Sequence, residues 1–296
     1  MFGRIAISLT LAAAGLALAP PAAAKIPKDQ QAFLAACKDW DEWDKPAPPF
    51  KVHGDTYHVG TCGISVILVT DKKGHVLIDS GTEPGAGVVL GNIRKLGLDP
   101  RDVKYLLHSH EHFDHVGGMA ALRAATGAWV VPSEGAEQVL KTGKADPDDP
   151  QAGQLPDMAP VEVYQTITDG GTVQLGDILL TAIATPGHTK GALSWQWSSC
   201  EKSVCSTIVY ADSLSPVSAE GYRFSDHPDY LASYRASIDR VADMECDLLL
   251  TPHPSASNML NRMKSGSLLS LDQCIDYADR ISNRLDERIA KEEGET

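Results

Sequence analysis

Between Leu107 and Gly118 the chain runs His108-Ser109-His110-Glu111-His112-Phe113-Asp114-His115-Val116-Gly117. The pattern His-x-His-x-Asp-His, from His110 to His115, concentrates metal-seeking donors to a degree that neither core packing nor a solvated face explains. In an extended loop alternate side chains project the same way. His110 and His112 are therefore placed to grip one ion, while Asp114 and His115, at the turn into a helix, face a second. A zinc site takes about four donors, and this run supplies four in all, so further ligands must come from distant parts of the chain.

Two later histidines meet that need. His188 sits in Thr185-Pro186-Gly187-His188-Thr189-Lys190-Gly191, where proline and glycine force a turn at the end of a strand. His253, in Thr251-Pro252-His253-Pro254, follows the apolar stretch Asp247 to Leu250. The natural division puts His110, His112 and His188 on one zinc and Asp114, His115 and His253 on the other. Each ion then keeps an open position, which marks a catalytic site. Two Zn2+ per chain can hold a hydroxide between them, a nucleophile at neutral pH because metal lowers the pKa of water from about 15.7 toward 7. Asp114 would orient it.

The elements that must carry these residues are legible in the pattern. Ile64 to Thr70 is rich in β-branched residues, Asp71-Lys72-Lys73-Gly74 reads as a turn, and His75 to Ile78 resumes an apolar strand, which together signal a hairpin. Val88 to Leu96 has helical spacing, Val103 to Leu107 is a short buried strand, and Met119 to Ala125 is a helix directly after the histidine run. The ligands would thus lie on a loop at a strand's carboxyl end, where α/β sheets place their chemistry. Trp129 to Val131 is a further strand, and Ala145 to Pro160, rich in Asp, Pro and Gly, is an exposed loop. Strands follow over Val161 to Tyr164, Ile178 to Thr185, Leu193 to Trp197 and Thr207 to Tyr210. A helix over Pro228 to Ala242, a strand over Asp247 to Leu250 and a final helix close the chain. The second half repeats the first in its order of strands and then helix. Ser270-Leu271-Asp272-Gln273 has capping-box spacing, and Leu271, Ile275, Ala278, Leu285 and Ile289 form the face that should pack on a sheet.

Composition limits the partners. Residues 1–24 carry Arg4, an apolar run from Ile5 to Ala19 and the small residues Pro20-Pro21-Ala22-Ala23-Ala24, the pattern of a signal peptide cleaved after Ala24. The run is short for a membrane span of about twenty residues, so no stable membrane association is expected after cleavage. Residues 25–296 then form a single domain in an exported, periplasmic protein, expected as a monomer. A net charge of −13, or −14 once Arg4 is lost, argues against nucleic acid as partner and in favour of a small-molecule substrate. Six cysteines in an exported chain favour disulfides, and six allow 15 pairings. Cys200 with Cys205 could close a hairpin and Cys246 with Cys274 could tie down the last helix, leaving Cys37 with Cys62; no Cys-x-x-Cys spacing supports zinc on the thiols.

His110-Glu111-His112-Phe113-Asp114-His115, with Leu77-Ile78-Asp79-Ser80-Gly81 upstream and His188 and His253 downstream, resembles the metallo-β-lactamase superfamily over about Tyr57 to His253. That resemblance implies an α/β fold, an αβ/βα four-layer sandwich with the metals at the common edge of its sheets. Within the superfamily the chain is similar to subclass B3. His115 matches the histidine of the second zinc, no counterpart exists for the cysteine ligand of the other subclasses, and Ala211-Asp212-Ser213-Leu214-Ser215 looks like the B3 segment in which serines replace it. The implied activity is zinc-dependent hydrolysis of the β-lactam amide bond of penicillins, cephalosporins and carbapenems, hence antibiotic resistance, with Ser213 and Ser215 binding the substrate carboxylate.

Asp212 carries the ambiguity. In hydrolases of lactones, thioesters and phosphodiesters from the same superfamily an aspartate near this point bridges the metals, so a bridging Asp212 would favour one of those activities. A non-catalytic zinc-binding exported protein is the alternative of another class, though storage needs neither open positions nor a mixed Asp/His site. Asp79 is expected as a buried hydrogen-bonding support, and His108 beneath the loop. His53, His58, His75 and His227 read as surface or turn residues, and Tyr210, Tyr222 and Tyr230 as candidates for the pocket wall.

Overall fold

Alternation along the strands dictates the layering. In β3 (Ile67–Asp71) and β4 (Gly74–Ile78), Ile67, Val69, Val76 and Ile78 enter one apolar cluster while Leu68 and Leu77 enter another. β10 (Val204–Tyr210) and β11 (Leu248–Leu250) do the same: Ile208, Tyr210, Leu248 and Leu250 join the first cluster, and Val209 and Leu249 a third. Strands apolar on both faces must be covered on both. The result is two sheets packed face to face, with helices on each outer surface, as the sequence predicts.

The computed structural model describes residues 25–294; the expected signal peptide lies outside the described residues. The first sheet has the order β1 (Phe50–His53), β2 (Thr56–His58), β3, β4, β5 (Val103–Leu107), β6 (Trp129–Val130). The second has the order β11, β10, β9 (Leu193–Glu201), β8 (Ile178–Ala184), β7 (Thr172–Leu175). Around them lie α1 (Lys28–Ala36), α2 (Gly85–Lys95), α3 (Phe113–Val116), α4 (Met119–Thr126), α5 (Glu137–Thr142), α6 (Pro228–Ala242), α7 (Met259–Lys264) and α8 (Gln273–Gly294). Val89 and Ile93 of α2 and Leu122 of α4 cover the first sheet; Ile238 of α6 and Tyr277, Ile281 and Leu285 of α8 cover the second.

Three expectations change. Residues 161–164 pair with no strand register, although Tyr164 N donates to Val130 O at 3.0 Å. The buried face of α8 is Cys274, Tyr277, Ala278, Ile281 and Leu285, whereas Leu271 and Ile275 are exposed. Asp272 has φ 64°, and α8 begins at Gln273, the last residue of the predicted box, rather than directly after Ser270. His53, His58 and His75 are buried, not surface residues. His58 lies between Phe33 and Phe50, its ring stacked on Phe50 at 5.0 Å, and neither of its nitrogens has a hydrogen-bond partner. All three cysteine pairings singled out in the sequence occur: Cys37–Cys62, Cys200–Cys205 and Cys246–Cys274. Among the described residues no helix is long and apolar enough to cross a membrane.

Burial pushes the His58 imidazole down to about 3, so it is neutral in the fold while an unfolded chain protonates it near 6.5. The unfolded state binds more protons between these values, and stability must fall as pH drops from about 6.5 toward 3. His58→Leu removes that term without removing a hydrogen bond. In urea titrations of metal-free protein the variant should lose stability less steeply over this window, by up to about 1.4 kcal/mol per pH unit; parallel curves would contradict it.

Candidate metal centre

The six predicted donors come together at the end of the sandwich where both sheets deliver loops. His110 and His112 lie just after β5 and Asp114 and His115 in α3; His188 sits in the turn between β8 and β9, and His253 follows β11. One nitrogen each from His110, His112 and His188 lies within 4.8 Å of the others, and so do donor atoms of His110, Asp114 and His115. His253 closes the second group, with Nε2 3.4 Å from Asp114 Oδ2 and its ring centroid 4.9 Å from that of His115. Two adjoining donor clusters result, with His110 common to both and His253 beside the second.

Each imidazole is held from behind. His110 Nδ1 donates to Asp212 Oδ1 at 2.8 Å, His112 Nε2 to Asp149 Oδ2 at 3.0 Å, and His188 Nδ1 to Ser215 O at 2.9 Å. His253 Nδ1 donates to Gly63 O at 3.3 Å, and His115 Nδ1 faces Asp79 Oδ2 at 3.6 Å. A hydrogen bond on one ring nitrogen fixes the tautomer that leaves the other free. The inward nitrogen of His110 is buried without a hydrogen-bond partner, whereas His115 Nε2 lies 3.0 Å from Asp114 Oδ2; an orphaned buried polar atom is costly unless something binds it. Five imidazoles and one carboxylate suit a borderline divalent ion such as zinc, so the residues present fit the metal.

The supporting groups are equally specific. Asp79, at φ 67°, accepts from Ser109 N at 2.6 Å, Ser109 Oγ at 2.8 Å and Tyr210 OH at 2.6 Å, which makes it the buried support the sequence suggests. Leu193 N donates to Ser109 O at 2.6 Å and Trp195 Nε1 to His108 O at 2.8 Å, tying β9 of the second sheet to the loop of the first. His108 accepts from Ser133 N at 2.9 Å beneath that loop. Sequence reasoning missed Glu111. It points away from the donors, accepting from Thr189 Oγ1 at 2.7 Å and Gly191 N at 2.9 Å, and so fastens the His110 loop to the His188 turn. A Cβ at Gly191 would lie 2.8 Å from both Glu111 carboxylate oxygens, which explains the glycine. The clue lay in the chain all along: a Glu among four histidines, opposite a Thr-x-Gly turn.

Burial, then the surrounding imidazoles, push His110 well below its usual range. Burial likewise drives His188 to about 3 and His253 to about 4. These rings are neutral at ordinary pH, the form that binds metal. His115 goes the other way: burial opposes its charge, but Asp114 beside it prevails and raises it. His115 in turn holds the Asp114 carboxyl well below the usual range despite burial.

Asp114 opens onto a cleft of about 290 Å³ whose walls include Trp43, Gln151, Ser213, Ser215 and Arg284. Ser213 Oγ is buried and has no hydrogen-bond partner. Asp212 is not part of that wall; its Oδ1 engages the outer nitrogen of His110 and its Oδ2 accepts from Leu214 N at 3.3 Å. The tyrosines considered from sequence lie elsewhere. Tyr210 is fully buried on Asp79, and Tyr222 and Tyr230 line a separate cavity.

Comparison with known proteins agrees with this geometry. The "Metallo-beta-lactamase superfamily" profile matches residues 59–199. The structure titled "MIM-2 Metallo-Beta-Lactamase" is 55% identical and superposes with a TM-score of 0.87, covering 90% of this chain and 100% of its own. The chain belongs to the metallo-β-lactamase family. Within that family it is also similar to MEM-A1, a subclass B3 metallo-β-lactamase isolated from a soil metagenome library, at 40% identity and TM-score 0.84 over 86% of this chain and 100% of that one. Among curated proteins, a probable metallo-hydrolase YflN of Bacillus subtilis (strain 168) is 26% identical over 68% of this chain and 83% of its own length.

Because Asp114 favours the protonated His115 imidazole without metal, an ion that takes the inward nitrogen of His115 would displace a proton. Calorimetric zinc titrations in buffers of different ionisation enthalpy should show release of about one proton, and apparent affinity should rise about tenfold per pH unit through neutrality. No proton release and a flat pH dependence would contradict the ion pair with Asp114.

Proposed function

We propose that this metallo-β-lactamase family member hydrolyses the amide bond of β-lactam antibiotics with two zinc ions, held by His110, His112 and His188 and by Asp114, His115 and His253. One observation carries the choice of substrate: Asp212 is turned onto the outer nitrogen of His110, while the cleft presents Ser213 with an unpartnered Oγ. A bridging aspartate would have favoured lactone, thioester or phosphodiester hydrolysis. The likeness to subclass B3 structures supports the same reading.

Bound there, the metal supplies Lewis acidity toward the lactam carbonyl and a water ionisable near neutral pH. The chain's own residues do the rest. Asp114, kept ionised by His115, orients the attacking water through the carboxylate edge it presents to the cleft. Ser213 Oγ and Ser215 hold the substrate carboxylate, placing the carbonyl carbon for attack. Water adds to that carbon, the carbon–nitrogen bond breaks, and the ring nitrogen takes up a proton, with no covalent bond to the protein. The three disulfides suit an oxidising compartment, and we place the mature protein in the periplasm.

Assay of the purified protein against a penicillin, an acyl-homoserine lactone and bis(p-nitrophenyl) phosphate tests the activity. Turnover of the penicillin should dominate and disappear on verified removal of metal by a chelator; dominant lactone or phosphodiester turnover, or full activity without metal, would refute the proposal. Ser213→Ala should raise KM for a chromogenic cephalosporin about tenfold, the worth of one hydrogen bond to a charged acceptor, with kcat little changed. An unchanged KM would remove Ser213 from carboxylate binding.

A further inference from the structure

The segment 145–160 has the composition of a solvated loop, and most of it forms only turns. Asp149 departs from that expectation. It is 5% exposed, and its two carboxylate oxygens face in different directions. Oδ2 takes the hydrogen bond from His112 Nε2 at 3.0 Å, and Oδ1 accepts from Gln151 N at 2.7 Å. The backbone turns tightly around it, with Asp149 N donating to Asp146 O at 3.1 Å and Ala152 N to Asp149 O at 2.9 Å.

The same segment forms part of the cleft wall. Gln151 and Leu155 line it, and the Gln151 amide nitrogen lies 3.5 Å from His112 Nδ1. Behind the segment is a second cavity of about 510 Å³, whose lining includes Pro147, Asp149 and Pro150 on one side and Tyr222 and Tyr230 on the other. Around Asp149 the loop thus has a cavity on each side. Toward its end Met158 N donates to Gly143 O at 2.7 Å and Asp157 pairs with Lys144; beside the cleft it is anchored by the Asp149 bond to His112 and the bond from Ala219 N to Pro150 O at 2.7 Å.

We propose that Asp149 is a positioning residue that couples metal occupancy to the loop wall of the cleft. This rests on the reading that His112 holds a metal. A carboxylate can only accept, so it selects the His112 tautomer with hydrogen on Nε2 and leaves the Nδ1 lone pair for the ion. Metal on Nδ1 in turn keeps hydrogen on Nε2 and stops the ring from turning, so Asp149 always has a donor and its loop a fixed post. The two effects are reciprocal, as linkage requires.

The test uses the full mature chain with Asp149→Ala and Asp149→Asn, the latter keeping an acceptor oxygen. Zinc affinity is measured by chelator competition, and amide hydrogen exchange over residues 146–155 is followed with and without zinc. Affinity at the His112 site should fall about 10–100-fold in the alanine variant and less in the asparagine variant. Zinc should slow exchange over this segment in the parent and not in Asp149→Ala. Equal zinc affinity in all three proteins, or a zinc-independent exchange pattern in the parent, would overturn the coupling while leaving the metal site standing. A parent chain that binds no zinc would overturn both. Exchange in the core strands β4 and β10, unchanged in the variants, separates this role from general loss of structure.

Discussion

Four of the five imidazoles at the candidate metal centre are fixed by a hydrogen bond from the outer ring nitrogen, and the fifth faces a buried carboxylate. Five imidazoles crowd into one small volume, and left to themselves they would repel when protonated and rotate when neutral. Asp212, Asp149 and the carbonyls of Ser215 and Gly63 hold four outer nitrogens, and Asp79 Oδ2 lies 3.6 Å from the fifth, His115 Nδ1. The inner nitrogens then have nowhere to point except toward one another. The geometry of the centre is a consequence of four hydrogen-bond acceptors and one buried carboxylate fixed by the fold around the donors.

Those acceptors stay in place because the two sheets are stitched together just beneath the site. The loop after β5 accepts across the sandwich from Leu193 N at Ser109 O and donates through Ser109 to Asp79, which itself accepts from Tyr210 of the second sheet. Glu111 then ties that loop to the turn bearing His188. A buried carboxylate is expensive unless its oxygens are satisfied. Asp79 and Glu111 are each satisfied by groups from segments distant in the chain, so assembly of the sandwich and assembly of the site are one event.

The same arrangement separates the roles of neighbouring residues of similar type. Asp114 and Asp212 are both buried aspartates at the centre. Asp114 opens onto the cleft and is stabilised as an anion by His115; Asp212 turns inward, where burial raises it strongly and His110 shares its oxygen. Ser213, one residue further on, faces the cleft with a free hydroxyl. Tyr277 on α8 fixes this stretch by donating to the carbonyl of Asp212 at 2.7 Å and to that of Ser213. A helix at the far end of the chain thereby sets which side chain lines the cleft.

By itself the sequence singled out the donor candidates that the fold brings together, the helix over Pro228–Ala242 and the hairpin around Asp71 to Gly74, because each rests on local spacing and turn chemistry. It also singled out the three cysteine pairs without being able to choose them. Only the tertiary structure decided that Asp212 turns away from the cleft, that Asp149 is buried within a loop of solvated composition, that Glu111 is a fastener, and that His58 is a core residue. Each depends on a partner at least 37 residues away in the chain or, for His58, on packing against Phe33 and Phe50. Local periodicity reports which face of an element is apolar; it carries no information about which distant acceptor a polar side chain will meet.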